Sequence, residues 1–253
     1  MKIVVIGGTG LIGSKLVDRF TRAGHIALAA APSAGIDAFT GEGLDAAIAG
    51  AQVVIDVSNP PSFDDEVARN FYATAGHNLA RAEIVAGVRH HITLSVVGTD
   101  RLLQSGYFRA KLVQEQLIQT AQTPYSLVRA TQFFEFLRQI ADFSTVGGTV
   151  RLPAVRFQPM AADDVAAALV DIALAPPSSA MIEIAGPEMF TLDTPVRRLL
   201  AADGDTRPVI VDASAPYAGV PVDDASLVPG PGARLGSIRL EDWIANAASP
   251  AGR

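Results

Sequence analysis

The apolar, β-branched run Lys2-Ile3-Val4-Val5-Ile6 empties into Gly7-Gly8-Thr9-Gly10-Leu11-Ile12-Gly13, and this junction constrains the fold more than any other stretch of the chain. A buried strand that ends in a glycine turn and passes into an amphipathic segment reads as the opening of a parallel α/β sheet. The amphipathic segment is Ser14 to Ala23, which sets Leu16, Val17 and Phe20 on one helical face. Gly7 permits the sharp turn, Gly10 leaves room for a pyrophosphate to meet the backbone, and Gly13 lets the helix lie close on the strand. The free N–H groups and positive end of that helix would face the phosphates. Gly7, Thr9, Gly10, Leu11, Ile12 and Gly13 are therefore candidate dinucleotide contacts, against the plainer reading of a strand-helix turn that binds nothing.

Alternation continues downstream. His25 to Ala30, Gln52 to Val57, His91 to Val97 and Tyr125 to Arg129 read as strands, separated by helices at Leu44 to Ala49, Asp64 to Ala86 and about Tyr107 to Ala121. The pattern predicts a Rossmann-like, doubly wound parallel sheet covered on both faces. Ligands of such sheets lie beyond the carboxyl ends of the strands, so Ser33, Val57, Ser58 and Asn59 join the candidate cofactor contacts. Val97, Gln132, Phe133 and Phe134 are candidate substrate contacts on the same logic, with core packing the equal alternative for the phenylalanines. Residues 1–130 are expected to form the dinucleotide-binding core, and 131–253 a small region that completes the sheet and the substrate pocket. That second part carries short strand patterns at Thr149 to Leu152, Met181 to Ala185 and Val209 to Val211. It also carries a helix at Asp163 to Ala175, a long loop at Gly219 to Gly236, and a terminal helix docked by Trp243.

Composition excludes several function classes. A net charge of −6 without a long basic cluster argues against nucleic acid or an anionic membrane as partner. The absence of cysteine removes disulfides, thiolate metal sites and cysteine nucleophiles. Met1-Lys2 runs directly into the first strand and no apolar stretch reaches membrane-spanning length, so no signal or transit peptide and a cytoplasmic location are expected. No metal site is expected either: His90 and His91 point to opposite faces of a strand, and Asp163-Asp164 matches the ordinary acidic start of a helix.

Tyr107-Phe108-Arg109-Ala110-Lys111 places a phenol and an ammonium on one helical face, a turn apart. A neighbouring cation favours the phenolate and so makes the phenol a better acid or base, and Lys111 has donors to spare for a nicotinamide ribose. Ser95 ends the preceding strand, and the loop that follows is long enough to bring its hydroxyl beside Tyr107, where the two would hold a carbonyl oxygen. With four tyrosines, and lysine at positions 2, 15 and 111 alone, chance yields such a spacing in roughly one chain in twenty.

These residues resemble the short-chain dehydrogenases/reductases, and within them the atypical NmrA-like branch. The likeness extends along most of the chain, through Gly7 to Gly13, Gly41 to Ser58, Arg129 to Phe134 and Ala161 to Ala166. The resemblance implies a reductase in which Ser95, Tyr107 and Lys111 support hydride transfer between NAD(P) and a carbonyl. Many NmrA-like proteins lack the complete triad or bind the cofactor without turnover, so the retention of all three residues here favours catalysis.

The end of the second strand selects between cofactors, because an acid there would hold a ribose 2′-hydroxyl and an arginine a 2′-phosphate. Ala30, Ala31, Pro32 and Ser33 supply neither, and Ser33 with Lys15 or Arg19 nearby favours NADP, with NAD as the alternative. The expected activity is NAD(P)H-dependent reduction of a small, fairly apolar ketone, enone or quinone. The competing expectations are a redox-sensing NADP-binding protein without turnover and a hydride-retaining epimerase or dehydratase.

Overall fold

The computed structural model describes residues 1–247. β1 (Lys2–Ile6) leads into α1 (Leu11–Arg22), followed by β2 (Ile26–Ala30), α2 (Leu44–Ile48), β3 (Val53–Asp56), α3 (Asp65–Ala86), β4 (His90–Val96), α4 (Gly106–Thr120) and β5 (Tyr125–Ala130). After these come α5 (Leu137–Phe143), β6 (Thr145–Val146), β7 (Thr149–Leu152), β8 (Arg156–Phe157) and α6 (Ala162–Leu174). The remainder is β9 (Met181–Ala185), β10 (Phe190–Thr191), α7 (Asp193–Ala202), β11 (Val209–Val211), β12 (Arg234–Leu235) and α8 (Leu240–Ala247).

Seven strands make one sheet in the order β12-β9-β5-β4-β3-β1-β2, and two smaller sheets pair β10 with β8 and β11-β7-β6. β1 runs parallel to β2 and β3, with Ile3 opposite Ala27 on one side and Val53 on the other. The chain steps outward to β2 and then returns past β1 to β3, so the order reverses there. Such a reversal opens a crevice beyond the strand ends. Successive residues of β1 point to opposite faces, yet Ile3, Val4 and Val5 are all fully buried, as a sheet covered on both sides requires. One face packs Val4, Ile6 and Val54 against Leu44, Ile48 and Leu79.

Two compact units divide the chain, one of Met1–Arg129 with Val165–Ile182, the other of Ala130–Asp164 with Glu183 onward. In the first, α3 starts where Asp64 accepts hydrogen bonds from the amides of Glu66 and Val67 at 3.1 and 3.3 Å. In the second, α6 begins at Ala162, ahead of Asp163, and Glu135 takes the Ala162 amide at 3.1 Å. Trp243 on α8 donates to the same carboxylate at 3.1 Å and packs on Phe134, so it docks the terminal helix as its position suggests. Asp164 accepts from the amides of Ser237 and Ile238, which makes it a loop anchor.

Among the described residues no helix is long and apolar enough to cross a membrane.

Candidate functional site

The glycine turn is packed tightly on its inner side. Gly7 sits at φ +76°, and a Cβ there would lie 2.9 Å from Ser58 Cα. A Cβ on Gly13 would overlap Gly7 O and Gly8 Cα, which explains how closely α1 lies on the turn. Gly8, to which the sequence pattern gave no role, is equally constrained, because a Cβ there would press into Ala29 of β2. Gly7 and Gly8 both donate to Ala30 O, at 2.9 and 3.2 Å.

The outer side is open. Thr9, Gly10 and Leu11 are exposed, and Gly10 caps α1 in extended conformation with no side chain over the helix end and no acid in the first turn. Ile12 is buried, so its amide alone is available to a ligand. A helix end with free N–H groups, a glycine in front and no acid in its first turn suits a phosphate anion. The residues present thus fit the pyrophosphate of a dinucleotide.

Facing the turn, the loop after β3 is held from within. Asp56 accepts from Ser58 Oγ at 2.6 Å and from the Ser58 amide at 3.0 Å. Its other oxygen accepts from Gln114 Nε2 at 2.8 Å, and Gln114 Oε1 accepts from Lys111 Nζ at 2.6 Å. Val57 and Ser58 are half-buried, and Asn59 is exposed. Farther along, Pro61 helps to line a cavity of about 380 Å³ with Phe39, Glu66, Val67, Asn70 and Phe71. The Phe39 and Phe71 rings there are nearly parallel, 6.0 Å apart. Ser33 lies exposed after β2, in the short 3-10 turn Pro32–Ala34.

The three candidate catalytic residues come to the end of β4 and the first half of α4, but each has its own partner. Lys111 is buried, donates to Leu94 O at 2.8 Å and to Gln114, and lies 4.6 Å from the centre of the Tyr72 ring. Burial lowers its pKa to about 8, against the opposing pull of Asp56 and Glu115. Ser95 donates to Glu115 Oε1 at 2.5 Å and lies 3.2 Å from the Thr99 hydroxyl. Glu115 is in turn clamped by Arg129 at 2.7 and 2.9 Å, and Arg129 reaches Asp100 at 3.0 Å. Tyr107, half-buried, sets its ring edge-on to Phe63 at 5.0 Å and shares a hydrogen bond with Tyr72.

These positions correct the expected electrostatics. Burial pushes the Tyr107 phenol up to about 12, and the effect that draws it down is its hydrogen bond with the Tyr72 hydroxyl, not the charge of Lys111. The ammonium faces the Tyr72 ring and two oxygens, so the one-turn spacing did not become a phenol-cation pair. Ser95 likewise gives its single proton to Glu115 rather than lying free beside the tyrosine.

Four residues that the sequence reading missed organise this region: Tyr72, Gln114, Glu115 and Arg129. Glu115 was findable, since it continues the 107, 111 face by one further turn, and an arginine inside the apolar strand β5 requires a buried partner.

Of the candidate substrate contacts, Val97 is fully buried and offers no surface. In the second unit Phe134 is also fully buried against Trp243 at 5.5 Å, so it belongs to the core. Phe133 is half-buried and bridges to Met160. Gln132 is 7% exposed, and neither atom of its amide has a hydrogen-bond partner among the described residues. His90 and His91 are structural: His90 meets Ser126 at 2.9 Å, while His91 meets Glu83 at 2.5 Å and Thr93 at 2.8 Å.

No protein-family model matches the sequence, and no curated protein matches it. Solved structures do match in fold. A short-chain dehydrogenase/reductase superfamily protein from Agrobacterium tumefaciens with bound NAD superposes with a TM-score of 0.71 at 16% identity, over 98% of this chain and 96% of that one. The dTDP-4-dehydrorhamnose reductase of Yersinia enterocolitica gives 0.70 at 14% identity, over 98% of both chains. The UDP-N-acetylglucosamine 4-epimerase of Bacillus cereus gives 0.66 at 16%, over 89% and 90%. This chain shares the fold of these structures, a Rossmann-like parallel sheet flanked by helices.

Proposed function

We propose that the chain seats a nicotinamide dinucleotide on the turn between β1 and α1 and acts as an oxidoreductase. In this reading Tyr107 gives a proton to the oxygen of a small, fairly apolar carbonyl compound. The observation that carries the proposal is the two-sided glycine turn, packed against Ser58 and Ala29 inside while Thr9, Gly10 and Leu11 stay exposed at a helix start without acids. The amides of Thr9, Leu11 and Ile12 would hold the pyrophosphate, Ser58 and Asn59 would border it, and the Phe39 and Phe71 rings offer flat apolar surface to the base. The absence of a carboxylate at Ala31 to Ser33 supports NADPH over NADH.

When bound, the dinucleotide supplies the hydride for the carbonyl carbon. Tyr107, with its pKa near 12, keeps its proton throughout the neutral range and therefore serves as a donor to an oxygen gaining negative charge, not as a base. Lys111 steadies the loop after β3 through Gln114 and Asp56. For Ser95 to orient a carbonyl, its hydroxyl must turn away from Glu115.

Side-by-side fluorescence titrations with NADPH and NADH, then a carbonyl panel, test the reading. We expect tighter binding of NADPH, and we expect Tyr107→Phe to abolish its oxidation while affinity stays within about twofold. Failure to bind either nucleotide would end the proposal. The commitment of the Ser95 proton to Glu115 favours one competitor, a protein that binds the dinucleotide without turning it over. Tight binding with no consumption across the panel would decide for it. Neighbours in this fold include an epimerase, and net oxidation of NADPH would exclude a hydride-retaining reaction of that kind.

A further inference from the structure

We propose that Tyr72 is a positioning residue for the proposed proton donor: its hydroxyl, in place of the Lys111 ammonium, holds the Tyr107 oxygen when that oxygen carries negative charge. The inference rests on the reading of Tyr107 given above. Tyr72 lies in the second turn of α3, 1% exposed, in a cluster with Ala68 and Ala110 against which Phe71 and Tyr107 pack. A buried phenol needs partners, and this one has two, Tyr107 and Asn59, donating to Asn59 Oδ1 at 3.2 Å.

Donor arithmetic assigns the role. An ammonium has three protons, and those of Lys111 face Leu94 O, Gln114 Oε1 and the Tyr72 ring. None is left over for the phenol one turn back on its own helix. Phe63, set edge-on to Tyr107, carries no hydroxyl. Among the described residues, the titratable group that acts on Tyr107 is Tyr72 on α3; Asp56 at the end of β3 acts in turn on Tyr72, and Lys111 on α4 lies over the Tyr72 ring. Of these, the Tyr72 hydroxyl is the group hydrogen-bonded to Tyr107. As the Tyr107 proton departs, that hydroxyl can turn from Asn59 toward the phenolate, because Asn59 is exposed and can take a water in its place.

The arrangement makes an opposite-sign prediction. Removing the Tyr72 hydroxyl should make the Tyr107 phenol harder to ionise, and removing the Asn59 acceptor should make it easier. The experiment places difluorotyrosine at position 107, which ionises in an accessible pH range, and follows its phenolate absorbance in three backgrounds. We expect Tyr72→Phe, which keeps the ring under Lys111, to raise the titration midpoint by about one pH unit or more. Asn59→Ala, at an exposed position, should lower it, and Lys111→Met should move it less than Tyr72→Phe does. An unmoved midpoint in Tyr72→Phe, shifts of the same sign in the first two variants, or a larger shift in Lys111→Met would each overturn the assignment. Side-chain packing alone would not produce paired shifts of opposite sign. NADPH and NADH titrations of the unsubstituted chain keep the two readings apart, since absent binding removes the proposed reaction and the inference with it, whereas binding with an unmoved midpoint removes the inference alone.

Discussion

Gly10→Ala separates ligand binding from folding at the glycine turn. Gly10 has φ −78° and ψ −178°, which any residue adopts, and an added Cβ would meet only Gly7 O, at 3.3 Å. Alanine is a poorer helix cap than glycine by roughly 0.5–1 kcal/mol, but it removes about 0.4–1 kcal/mol of unfolded-chain freedom. The two effects nearly cancel, so the melting temperature should move by no more than about 3 °C. The methyl would stand on the exposed side, between an approaching phosphate and the α1 amides. Losing one charge-assisted hydrogen bond there costs about 1.5–3 kcal/mol, or roughly 10- to 150-fold in Kd. Gly13→Ala is the contrasting variant, because its Cβ overlaps Gly7 O and the backbone must shift, at a cost of about 1–3 kcal/mol in stability. Calorimetric melting and fluorescence titration with NADPH read both quantities. A Gly10→Ala protein that binds NADPH as tightly as the parent would refute the placement of the pyrophosphate at this turn.

Two further outcomes follow from buried charge. Arg129→Met leaves Glu115 buried beside Ser95 without its cation and should cost about 3–5 kcal/mol in urea unfolding, most of it recovered in Arg129→Met with Glu115→Leu; a loss under about 1 kcal/mol would show that the pair is not desolvated. Burial and the neighbouring His91 charge hold His90 at about 4, so the unfolded chain takes up that proton first and stability should fall as pH drops from about 6.5 to 4. His91 runs the other way: burial opposes its protonation, but Glu83 prevails and raises it, so its contribution is complete below about 6.5 and fades as pH rises through its folded value. Melting of the parent against His90→Gln over that acid range should show a gap on the order of 2 kcal/mol, and parallel curves would count against it.

The alternation of strands and helices was legible because each element carried its own period. Thr149–Leu152, Met181–Ala185 and Val209–Val211 stand where the apolar runs place them. α1 starts at Leu11, ahead of the expected Ser14, since Gly10 caps it without a hydroxyl. α7 went unread because Pro195 looks like a breaker, although in the first turn of a helix it sacrifices no hydrogen bond, and Val196, Leu199 and Leu200 bury a regular stripe behind it. α5, at seven residues, is too short to show a period. Within the candidate site, spacing gave the helical face that carries Tyr107 and Lys111 but not what lies opposite. That depends on α3 packing against α4 and bringing in Tyr72, a contact 35 to 39 positions away in sequence.

The Lys111 amine has one proton more than its two oxygen partners require. Losing it near pH 8 would leave two hydrogens, enough to keep both Leu94 O and Gln114 Oε1 satisfied. Alkaline titration would thus erase the positive charge above the aromatic floor while the scaffold joining α4 to the edge of the crevice stays standing.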